Sequence, residues 1–402
     1  MSLGGGTRGG PARVAVVHDW LVTYAGSERV LEQILALYPS ADLFAVVDFV
    51  PPAERAFLGG RRATTTFVQR LPWARRAYRA YLPVMPLAIE QLDLSGYDLV
   101  ISSSHAVAKG VIVGPDALHV CYSHSPLRYA WDLQAEYLRE AGLGWGPRGL
   151  AARLALHRLR TWDYRSAAGV DAFVANSAFV ARRIRRAYRR DAVVIPPPVD
   201  VDQFTPGGAR GEYYVTASRF VPYKRVPLIV EAFRGLPDRR LVVIGDGPER
   251  EAVRRAAGPN VQLLGHQPVD ELIRWLRGAR AYLFAAVEDF GIAPIEAQAC
   301  GTPVIAFRGG ALPDTVPGLE AEAPCGVFYD AATPDGVRSG VAAFETSAPR
   351  ITAASCRRNA ERYSAAAFRG RFAAFVADRW AAFAAERSGG SGALRVVEGG
   401  AG

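Results

Sequence analysis

The chain has 402 residues, of which 50% are hydrophobic and 22% are charged. At about 100 to 200 residues per domain this length predicts two or three folded domains, and the composition excludes a wholly disordered chain. The 48 Lys and Arg residues against 39 Asp and Glu give a net charge of +9, which is compatible with polyanionic partners such as nucleic acid, acidic lipid or phosphorylated substrates.

The cysteines and the hydropathy indicate the compartment. Cys121, Cys300, Cys325 and Cys356 form no C-x-x-C pair, which argues against a zinc ribbon, a thioredoxin-type site or a dense disulfide framework. No run of about 18 apolar residues occurs, and the glycine-rich start lacks the apolar stretch of a signal peptide. We therefore expect a cytoplasmic protein without a membrane-spanning helix.

Short apolar segments alternate with helical patterns along the first half of the chain. The first segment, 13–17, ends at His18-Asp19-Trp20 and is followed by a loop with Gly26 and a helical pattern over 28–35. Further strands are predicted at 97–101, 118–122 and 172–176. This alternation favours a parallel sheet with helices on both faces.

Three prolines, 196–198, predict a linker, because proline lacks an amide hydrogen and restricts the residue before it. Beyond them the alternation resumes, with strands predicted at 213–217, 241–245, 261–264, 281–284 and 303–306. We predict four regions: a Rossmann-like domain over 1–197, a second Rossmann-like domain over 198–360, C-terminal helices over 361–387, and a disordered tail over 388–402.

Ligands of open parallel sheets bind at the carboxyl ends of the strands, so residues that follow strands are the candidates for function. Arg219 and Lys224 flank one such loop, and a planar guanidinium with a compact ammonium fits a diphosphate. The chain has two lysines, Lys109 and Lys224, among its 48 basic residues, so each lysine is a candidate for a specific role. The alternative for the loop is a solvated segment carrying two charges.

Two glutamates follow another predicted strand, and seven residues separate them. Between Glu288 and Glu296 lie Gly291, which allows close backbone approach, and Pro294, which suits the first turn of a helix. The amides of that helix favour a phosphate, and each carboxylate can accept hydrogen bonds from neighbouring sugar hydroxyls. The alternative is that Glu296 complements the helix dipole and Glu288 is a loop charge.

These segments, together with 14–21, 102–110 and 121–132, resemble the retaining glycosyltransferases of family 4. The resemblance implies an α/β protein with the GT-B fold, in which two Rossmann-like doubly wound parallel-sheet domains face a cleft. It further implies that 1–197 is the acceptor domain, that 198–360 is the nucleotide-sugar donor domain, and that the helices over 361–387 pack back towards the first domain. The N-terminal segments are similar in particular to the bacterial O-antigen mannosyltransferases, whose members use GDP-mannose.

The resemblance also implies roles for individual residues. Arg219 and Lys224 would hold the donor pyrophosphate, Glu288 would bind hydroxyls of the transferred sugar, and His124 would approach that sugar near the reacting carbon, although a structural histidine is an equal alternative. The remaining donor-binding candidates are Gly26, Ser27, Gly245, His266, Gln267, Asp289, Phe290, Gly291, Ile292 and Glu296, the last of which would bind the ribose diol. The loop with Gly26 has one glycine where the family pattern has two.

The implied activity is that of a metal-independent, retaining hexosyltransferase without a cofactor, since two cations replace the metal ion that other transferases hold through Asp-x-Asp. The Asp200-Val201-Asp202 segment adjoins the prolines and is interpreted as linker structure. We expect transfer of mannose from GDP-mannose onto a bacterial surface glycan such as lipopolysaccharide, or onto a lipid-linked acceptor. A UDP-glucose or UDP-N-acetylglucosamine donor is the main alternative, a sugar-nucleotide epimerase is a remote one, and no motif indicates binding to nucleic acid.

Two arginine-rich segments suggest peripheral contact with an anionic membrane, where a lipid-linked acceptor would be presented. The first interleaves Arg70, Arg75, Arg76 and Arg79 with Trp73, Tyr78 and Tyr81, and the second comprises Arg182, Arg183, Arg185, Arg186, Arg189 and Arg190. The alternative is an ordinary solvated surface.

Overall fold

A computed structural model describes residues 10–390, with side chains through residue 387. The described chain divides into two compact units: one comprises 10–175, 183–195 and the chain from 369, and the other comprises 176–182 and 196–368. The tail predicted over 388–402 lies outside the residues whose side chains are described. Within residues 10–390, no helix is long and apolar enough to cross a membrane.

The first unit is built on a seven-stranded parallel sheet. Its strands are β1 (Val14–His18), β2 (Asp42–Ala45), β3 (Thr64–Thr65), β4 (Leu99–Ser104), β5 (Leu118–Ser123), β6 (Ala172–Ala175) and β7 (Ala192–Val194), in the order β3-β2-β1-β4-β5-β6-β7. Every residue of β1, β4 and β5 is buried, as expected for strands covered on both faces. The strand order reverses between β1 and β4, where ligands of such sheets bind.

In the described residues, helices follow or precede these strands along the chain. They are α1 (Gly26–Leu37), α2 (Ala74–Ala77), α3 (Met85–Glu90), α4 (Gln134–Glu140), α5 (Pro147–Ser166) and α6 (Ala178–Tyr188), the last of which has residues in both units. Helix α1 shows why these segments are helical: Val30, Leu31 and Ile34 recur at helical spacing and are fully buried, while Arg29, Glu32 and Gln33 lie between them.

The second unit is built on a six-stranded parallel sheet. Its strands are β8 (Tyr213–Ala217), β9 (Arg240–Ile244), β10 (Val261–Gly265), β11 (Tyr282–Phe284), β12 (Val304–Phe307) and β13 (Gly326–Tyr329), in the order β10-β9-β8-β11-β12-β13. Here the order reverses between β8 and β11. The predicted Arg219 loop follows β8 and the predicted Glu288 loop follows β11, so both lie at this second reversal point.

The helices of the second unit are α7 (Val226–Arg234), α8 (Arg250–Ala256), α9 (Val269–Gly278), α10 (Ile292–Ala299), α11 (Leu312–Thr315), α12 (Pro334–Ser347) and α13 (Ala353–Glu361). The last helix, α14 (Ala365–Gly390), begins in this unit, and from Arg369 onward it belongs to the first. There Phe372 packs on Tyr122, with ring centroids 6.3 Å apart, and Arg387 donates to the Asp116 carbonyl over 2.9 Å. The predicted α/β fold with two helix-flanked parallel sheets is confirmed.

Candidate active site

The loop after β8 holds Lys224 against an acidic partner. A 3-10 turn, Pro222–Lys224, leads into α7 through Arg225, whose φ of 53° is left-handed. The Lys224 ammonium forms an ion pair with the Glu288 carboxylate and lies 5.4 Å from the Phe284 ring centroid. The side chains of the pair are 19% and 17% exposed, respectively. The predicted cation and the predicted sugar-binding carboxylate are therefore direct neighbours.

A second loop, 308–311, packs against the backbone of the Glu288 loop. Gly310 has a φ of +63°, and a Cβ built on it would lie 2.3 Å from the Glu288 carbonyl oxygen. That carbonyl accepts a hydrogen bond from the Ala311 amide over 2.9 Å. At the next residue, Ser177 Oγ donates to the Asp289 carbonyl over 2.5 Å. Two successive carbonyls of the Glu288 loop are thus anchored by residues that the sequence analysis did not single out.

Helix α10 begins where the family pattern predicts a phosphate. Gly291 precedes it with a φ of 89°, a conformation that favours glycine, and Ile292 is its first residue. The Phe290 side chain is buried and packs edge-to-face on Tyr363, with centroids 5.4 Å apart, so the predicted contact of 290–292 with a ligand is restricted to the backbone. Glu296 lies one turn into the helix and is mostly buried.

A cavity of about 400 Å³ opens beside these elements. Five of the predicted residues line it, namely Arg219, Gly245, His266, Gln267 and Glu296, together with Asp246 and Tyr282, which were not predicted. Arg219 and His266 are exposed, and the Tyr282 hydroxyl donates to the Ala217 carbonyl over 2.7 Å. The cavity is therefore rimmed by a cation and carries a buried carboxylate in its wall.

Gly245 follows β9 and lies against the ends of β8 and β10 beside this cavity. Its backbone passes so close to the loop after β8 that a Cβ would lie 1.8 Å from the Ser218 carbonyl oxygen. Its amide donates to the Gly265 carbonyl at the end of β10 over 2.8 Å, and nearby Gln267 Nε2 donates to the Leu264 carbonyl over 2.7 Å. Only glycine fits between these backbones.

The predicted histidine of the first unit belongs to a polar cluster at the carboxyl ends of β1, β4 and β5. His124 Nε2 lies 2.8 Å from Ser103 Oγ, and its ring packs beside Tyr122 at a centroid distance of 5.1 Å. Burial, with the charges of His105 and His18, lowers the pKa of His124 to about 3. This histidine is therefore neutral at physiological pH.

Asp19, which follows β1, anchors the neighbouring turn and is not among the predicted site residues. Its carboxylate accepts hydrogen bonds from the four successive amides of 105–108 over 2.6 to 2.9 Å and lies 3.0 Å from His105 Nδ1. Although burial raises the pKa of Asp19, His105 and these hydrogen bonds hold it well below its ordinary value. Its ionised form thus fixes the chain that follows β4.

The predicted loop with Gly26 and Ser27 is the first turn of α1. Glu28 occupies the third helical position and accepts hydrogen bonds from the Ala25 amide over 3.1 Å and from Ser27 Oγ over 2.9 Å. The expected start of the helix at 28 is therefore two residues late, because this cap includes the glycine in the helix. The Ser27 hydroxyl proton is engaged within the protein.

Two further sequence features have structural roles. Lys109 is 2% exposed and forms a 2.7 Å ion pair with Asp163, away from the polar cluster. Asp200 accepts a hydrogen bond from the Gln203 amide over 3.0 Å, which agrees with its interpretation as part of a linker turn. Within residues 10–387, no group of three His, Cys, Asp or Glu side chains is arranged to hold a metal ion.

Comparison with known families identifies both halves of the chain. The profile described as "Glycosyltransferase Family 4" matches 24–203, and that described as "Glycosyl transferases group 1" matches 206–363. The chain belongs to the family 4 glycosyltransferases. The predicted family and its GT-B fold are thereby confirmed, and the cavity and the Lys224–Glu288 pair lie in the group 1 domain of this glycosyltransferase.

Curated relatives with similar sequences are glycosyltransferases. It is 32% identical over 211 residues to the D-inositol 3-phosphate glycosyltransferase of Segniliparus rotundus, and the matched region covers 46% of each protein. It is 31% identical over 223 residues to the GDP-mannose-dependent alpha-(1-6)-phosphatidylinositol monomannoside mannosyltransferase of Mycolicibacterium smegmatis, covering 47% of this chain and 55% of the relative. The chain thus spans about half the length of these relatives.

A solved structure extends the comparison to the whole fold. HepE of Anabaena, crystallised with UDP, superposes with a TM-score of 0.65 at 16% identity and covers 91% of this chain and 100% of that one. At this identity the likeness concerns the fold alone.

Proposed function

We propose that this glycosyltransferase moves mannose from GDP-mannose onto a bacterial surface-glycan or lipid-linked acceptor, with retention of configuration and without a metal ion. The observation that carries the proposal is the meeting of Lys224 and Glu288 beside a cavity at the strand-order reversal of the group 1 domain. The GDP-mannose-dependent relatives favour mannose as the sugar and guanosine as the nucleoside.

The donor diphosphate is assigned to Arg219, Lys224 and the start of α10. A planar guanidinium binds two phosphate oxygens, a compact ammonium neutralises a third, and the first amides of a helix favour an anion. Arg219 is exposed on the cavity rim, and Gly291 has the left-handed φ from which α10 starts. These groups supply the charge compensation that a metal ion supplies elsewhere.

The hydroxyls of the donor are assigned to the two glutamates. Glu288 accepts from the transferred sugar, and Glu296, in the cavity wall, accepts from the ribose diol. His266 and Gln267 line the same cavity and are assigned to the base. When the donor binds, Lys224 exchanges part of its ion pair with Glu288 for contact with phosphate, so the carboxylate becomes available to a sugar hydroxyl.

The reaction needs no protein nucleophile. The bond between the anomeric carbon and the diphosphate oxygen breaks while the acceptor hydroxyl oxygen bonds to that carbon on the same face. The hydroxyl proton passes to the departing diphosphate, and Arg219, Lys224 and the α10 amides stabilise the charge that develops on it. Positioning and electrostatics therefore provide most of the rate enhancement.

A UDP-sugar donor is the second candidate, favoured by the UDP that HepE binds. The assigned cations and glutamates would serve either nucleotide, since they recognise phosphate and hydroxyl groups. Discrimination between GDP and UDP falls to the base-contacting segment with His266 and Gln267.

Peripheral membrane contact is proposed for the first arginine-rich segment. Trp73 is 75% exposed beside the exposed Arg75, Arg76 and Arg79, an arrangement suited to an anionic headgroup surface. In the second segment, by contrast, Arg183 pairs with Asp132 over 2.7 Å and Arg190 donates to three backbone carbonyls. The second segment is therefore partly structural.

Calorimetric binding of GDP and of UDP, each with and without a chelator, tests the proposal. We expect tighter binding of GDP that chelation does not change. Tighter binding of UDP would overturn the assignment of the donor but leave the site, whereas binding of neither nucleotide would overturn the site itself.

A further inference from the structure

We propose that Ser177 is a positioning residue for the donor diphosphate, because its hydroxyl fixes the peptide plane that carries the Phe290 amide. All the contacts that orient this plane lie within the second unit. The effect on ligand binding rests on the proposed function, in which the start of α10 binds the diphosphate.

The Ser177 hydroxyl makes two hydrogen bonds of opposite direction. Ser177 precedes α6, and its Oγ accepts from the Val180 amide over 3.1 Å, so it is the N-cap of that helix. The same hydroxyl contacts the Asp289 carbonyl over 2.5 Å. A carbonyl has no proton to give, so Ser177 must be the donor of this bond. Asn176 Oδ1 lies farther from the hydroxyl, at 3.2 Å, and competes weakly for its single proton.

The bond to the Asp289 carbonyl determines where the next amide points. In a planar trans peptide, the carbonyl of one residue and the amide of the next point in opposite directions. The peptide bonds of the described residues are all trans. Because Ser177 holds the Asp289 carbonyl, the Phe290 N–H points away from Ser177 and from the start of α6. The Ala311 amide, which donates to the Glu288 carbonyl over 2.9 Å, fixes the preceding peptide plane in the same way.

The amides at this turn make no hydrogen bond within the described part of the chain. Among the hydrogen bonds of residues 10–387, none has the amide of Phe290, Gly291 or Ile292 as its donor. The first amides of a helix have no partner inside it, and their partial positive charge favours an anion. The start of α10 thus has donors that its own backbone does not use.

Phe290 is held by its side chain as well as by its peptide plane. The residue is 4% exposed, and its ring packs edge-to-face on Tyr363. Ser177, on the other side of the peptide, is 3% exposed, so water does not readily replace its hydroxyl at the Asp289 carbonyl. The Phe290 amide therefore has one orientation before a ligand binds. A donor that is oriented in advance stabilises an anion without a cost for reorganisation.

The position of Phe290 in the loop indicates which phosphate its amide binds. Phe290 lies two residues after Glu288, which is assigned to the transferred sugar, so the Phe290 amide is assigned to the phosphate that carries the sugar. A nucleoside diphosphate has this phosphate, whereas a nucleoside monophosphate lacks it. Loss of the Ser177 hydroxyl releases the peptide plane and should therefore weaken the binding of a diphosphate more than that of a monophosphate.

Calorimetric binding of GDP, GMP, UDP and UMP to variants of the full chain tests the role of Ser177. Ser177→Gly removes the hydroxyl but keeps most of the helix cap, since glycine is also a common N-cap residue. It should weaken binding of the preferred diphosphate by about tenfold, the usual effect of one oriented hydrogen bond, and that of the matching monophosphate by less than about twofold. Ser177→Thr keeps the hydroxyl and should bind both ligands as the parent does.

Thr333→Gly is the matched control for the helix cap. Thr333 precedes α12, and its Oγ1 accepts from the Gly336 amide over 3.1 Å, the same distance and spacing as at Ser177. Among residues 10–387, the Thr333 hydroxyl has no hydrogen bond to the Glu288 loop. Thr333→Gly should lower the urea midpoint of unfolding and leave the binding of all four nucleotides unchanged. A purely structural role of Ser177 would give the same pattern in Ser177→Gly.

The outcomes distinguish a failure of the Ser177 role from a failure of the proposed function. Selective loss of diphosphate binding in Ser177→Gly supports the role with either base, because GDP and UDP share the diphosphate. Binding in Ser177→Gly that equals the parent's, or that falls equally for diphosphate and monophosphate, would overturn the role and leave the proposed function intact. Binding of no nucleotide by the parent would overturn the proposed function and, with it, the role of Ser177.

Discussion

The two lysines of the chain lie in contrasting surroundings. Lys109, in the first unit, is enclosed by Asp163, by Ser166 and by two aromatic rings whose centroids lie 5.0 and 5.2 Å from its ammonium. Lys224, in the second unit, pairs with Glu288 and keeps part of its surface in solvent. A compact ammonium suits both places. The rarity of lysine therefore indicates that each lysine is specifically needed, but it does not distinguish a structural role from a functional one.

The surroundings of Lys109 form a closed ion-pair core. Besides Lys109, the Asp163 carboxylate accepts from Trp131 Nε1 over 2.7 Å and from the Tyr188 hydroxyl over 2.9 Å. The Lys109 ammonium also donates to the Asp163 carbonyl over 3.0 Å. A ligand has no access to a group enclosed in this way, whereas the Lys224 pair can open towards a diphosphate.

The largest expected effect is on turnover at the Lys224 pair. Lys224→Ala and Glu288→Ala should each lower kcat by about 10² to 10³. The first removes a cation that stabilises the charge developing on the leaving diphosphate, and the second removes the carboxylate that positions the sugar. The melting temperature should change little, because the pair is partly exposed. Steady-state assays and thermal melts measure the two quantities, with the exposed Arg254→Ala as control. Near-normal turnover in both variants would exclude these residues from the site.

The opposite pattern is expected at the buried lysine. Lys109→Met leaves the Asp163 carboxylate buried without its cation and should lower the free energy of unfolding by about 3 to 5 kcal/mol. Nucleotide binding by the folded protein should persist. Urea titration and calorimetry below the melting range measure the two effects.

A double variant isolates the ion pair itself. Adding Asp163→Asn to Lys109→Met removes the unpaired charge and should recover part of the lost free energy of unfolding. If the double variant is no more stable than the single one, packing rather than charge is the main contribution of Lys109.

A smaller effect is expected from the loop that supports Glu288. Gly310→Ala places a Cβ against the Glu288 carbonyl at a left-handed φ, which should cost about 1 to 3 kcal/mol of unfolding free energy and weaken nucleotide binding. Gly208→Ala is the control, since Gly208 has a φ of +74° and its added Cβ meets nothing within 4 Å. Equal losses in both variants would attribute the effect to backbone conformation alone.

The smallest effect concerns pH. Burial lowers the pKa of His119 to about 4, so the unfolded chain takes up a proton below about pH 6.5 that the folded chain does not. The contribution of His119 to stability should therefore be constant above pH 7 and fall as the pH drops from 6.5 towards 4. Urea midpoints across this range should fall less steeply in His119→Asn than in the parent, whereas exposed His157→Asn should match the parent. Identical pH profiles for all three proteins would refute a neutral buried His119.

Much of the sheet architecture was predictable because buried parallel strands are near-continuous apolar runs. The predicted segment 213–217 coincides with β8, and those at 118–122 and 172–176 agree with β5 and β6 to within one residue. Four strands escaped prediction: β2, β3, β7 and β13. Three of these lie at sheet edges, and β3 and β7 have only two and three residues, too few to produce a recognisable pattern.

Some residues of the candidate site could likewise be predicted from local sequence, and others could not. Arg219, Lys224 and Glu288 follow strands, and Glu296 lies in the helix after β11, so local sequence patterns identify all four. In the second unit Arg219 and Glu296 line the cavity, and Lys224 pairs with Glu288. Ser177 and Gly310 support the Glu288 loop from elsewhere in the chain, 112 residues before Asp289 in the case of Ser177. The Gly309-Gly310 pair just after β12 was the one local signal that could have revealed this support.

By itself the sequence determined the alternation of strands and helices, the family, and the charged residues at strand ends, because each of these is written in local spacing. Only the tertiary structure decided that Lys109 is structural, that Gly26 begins a helix and that Ser177 holds the Asp289 carbonyl. Those outcomes depend on which distant residues share a buried space. In a buried space, the surrounding groups determine whether a proton, a charge or an added Cβ can be accommodated. Those groups come from distant parts of the chain, so local sequence spacing does not predict them.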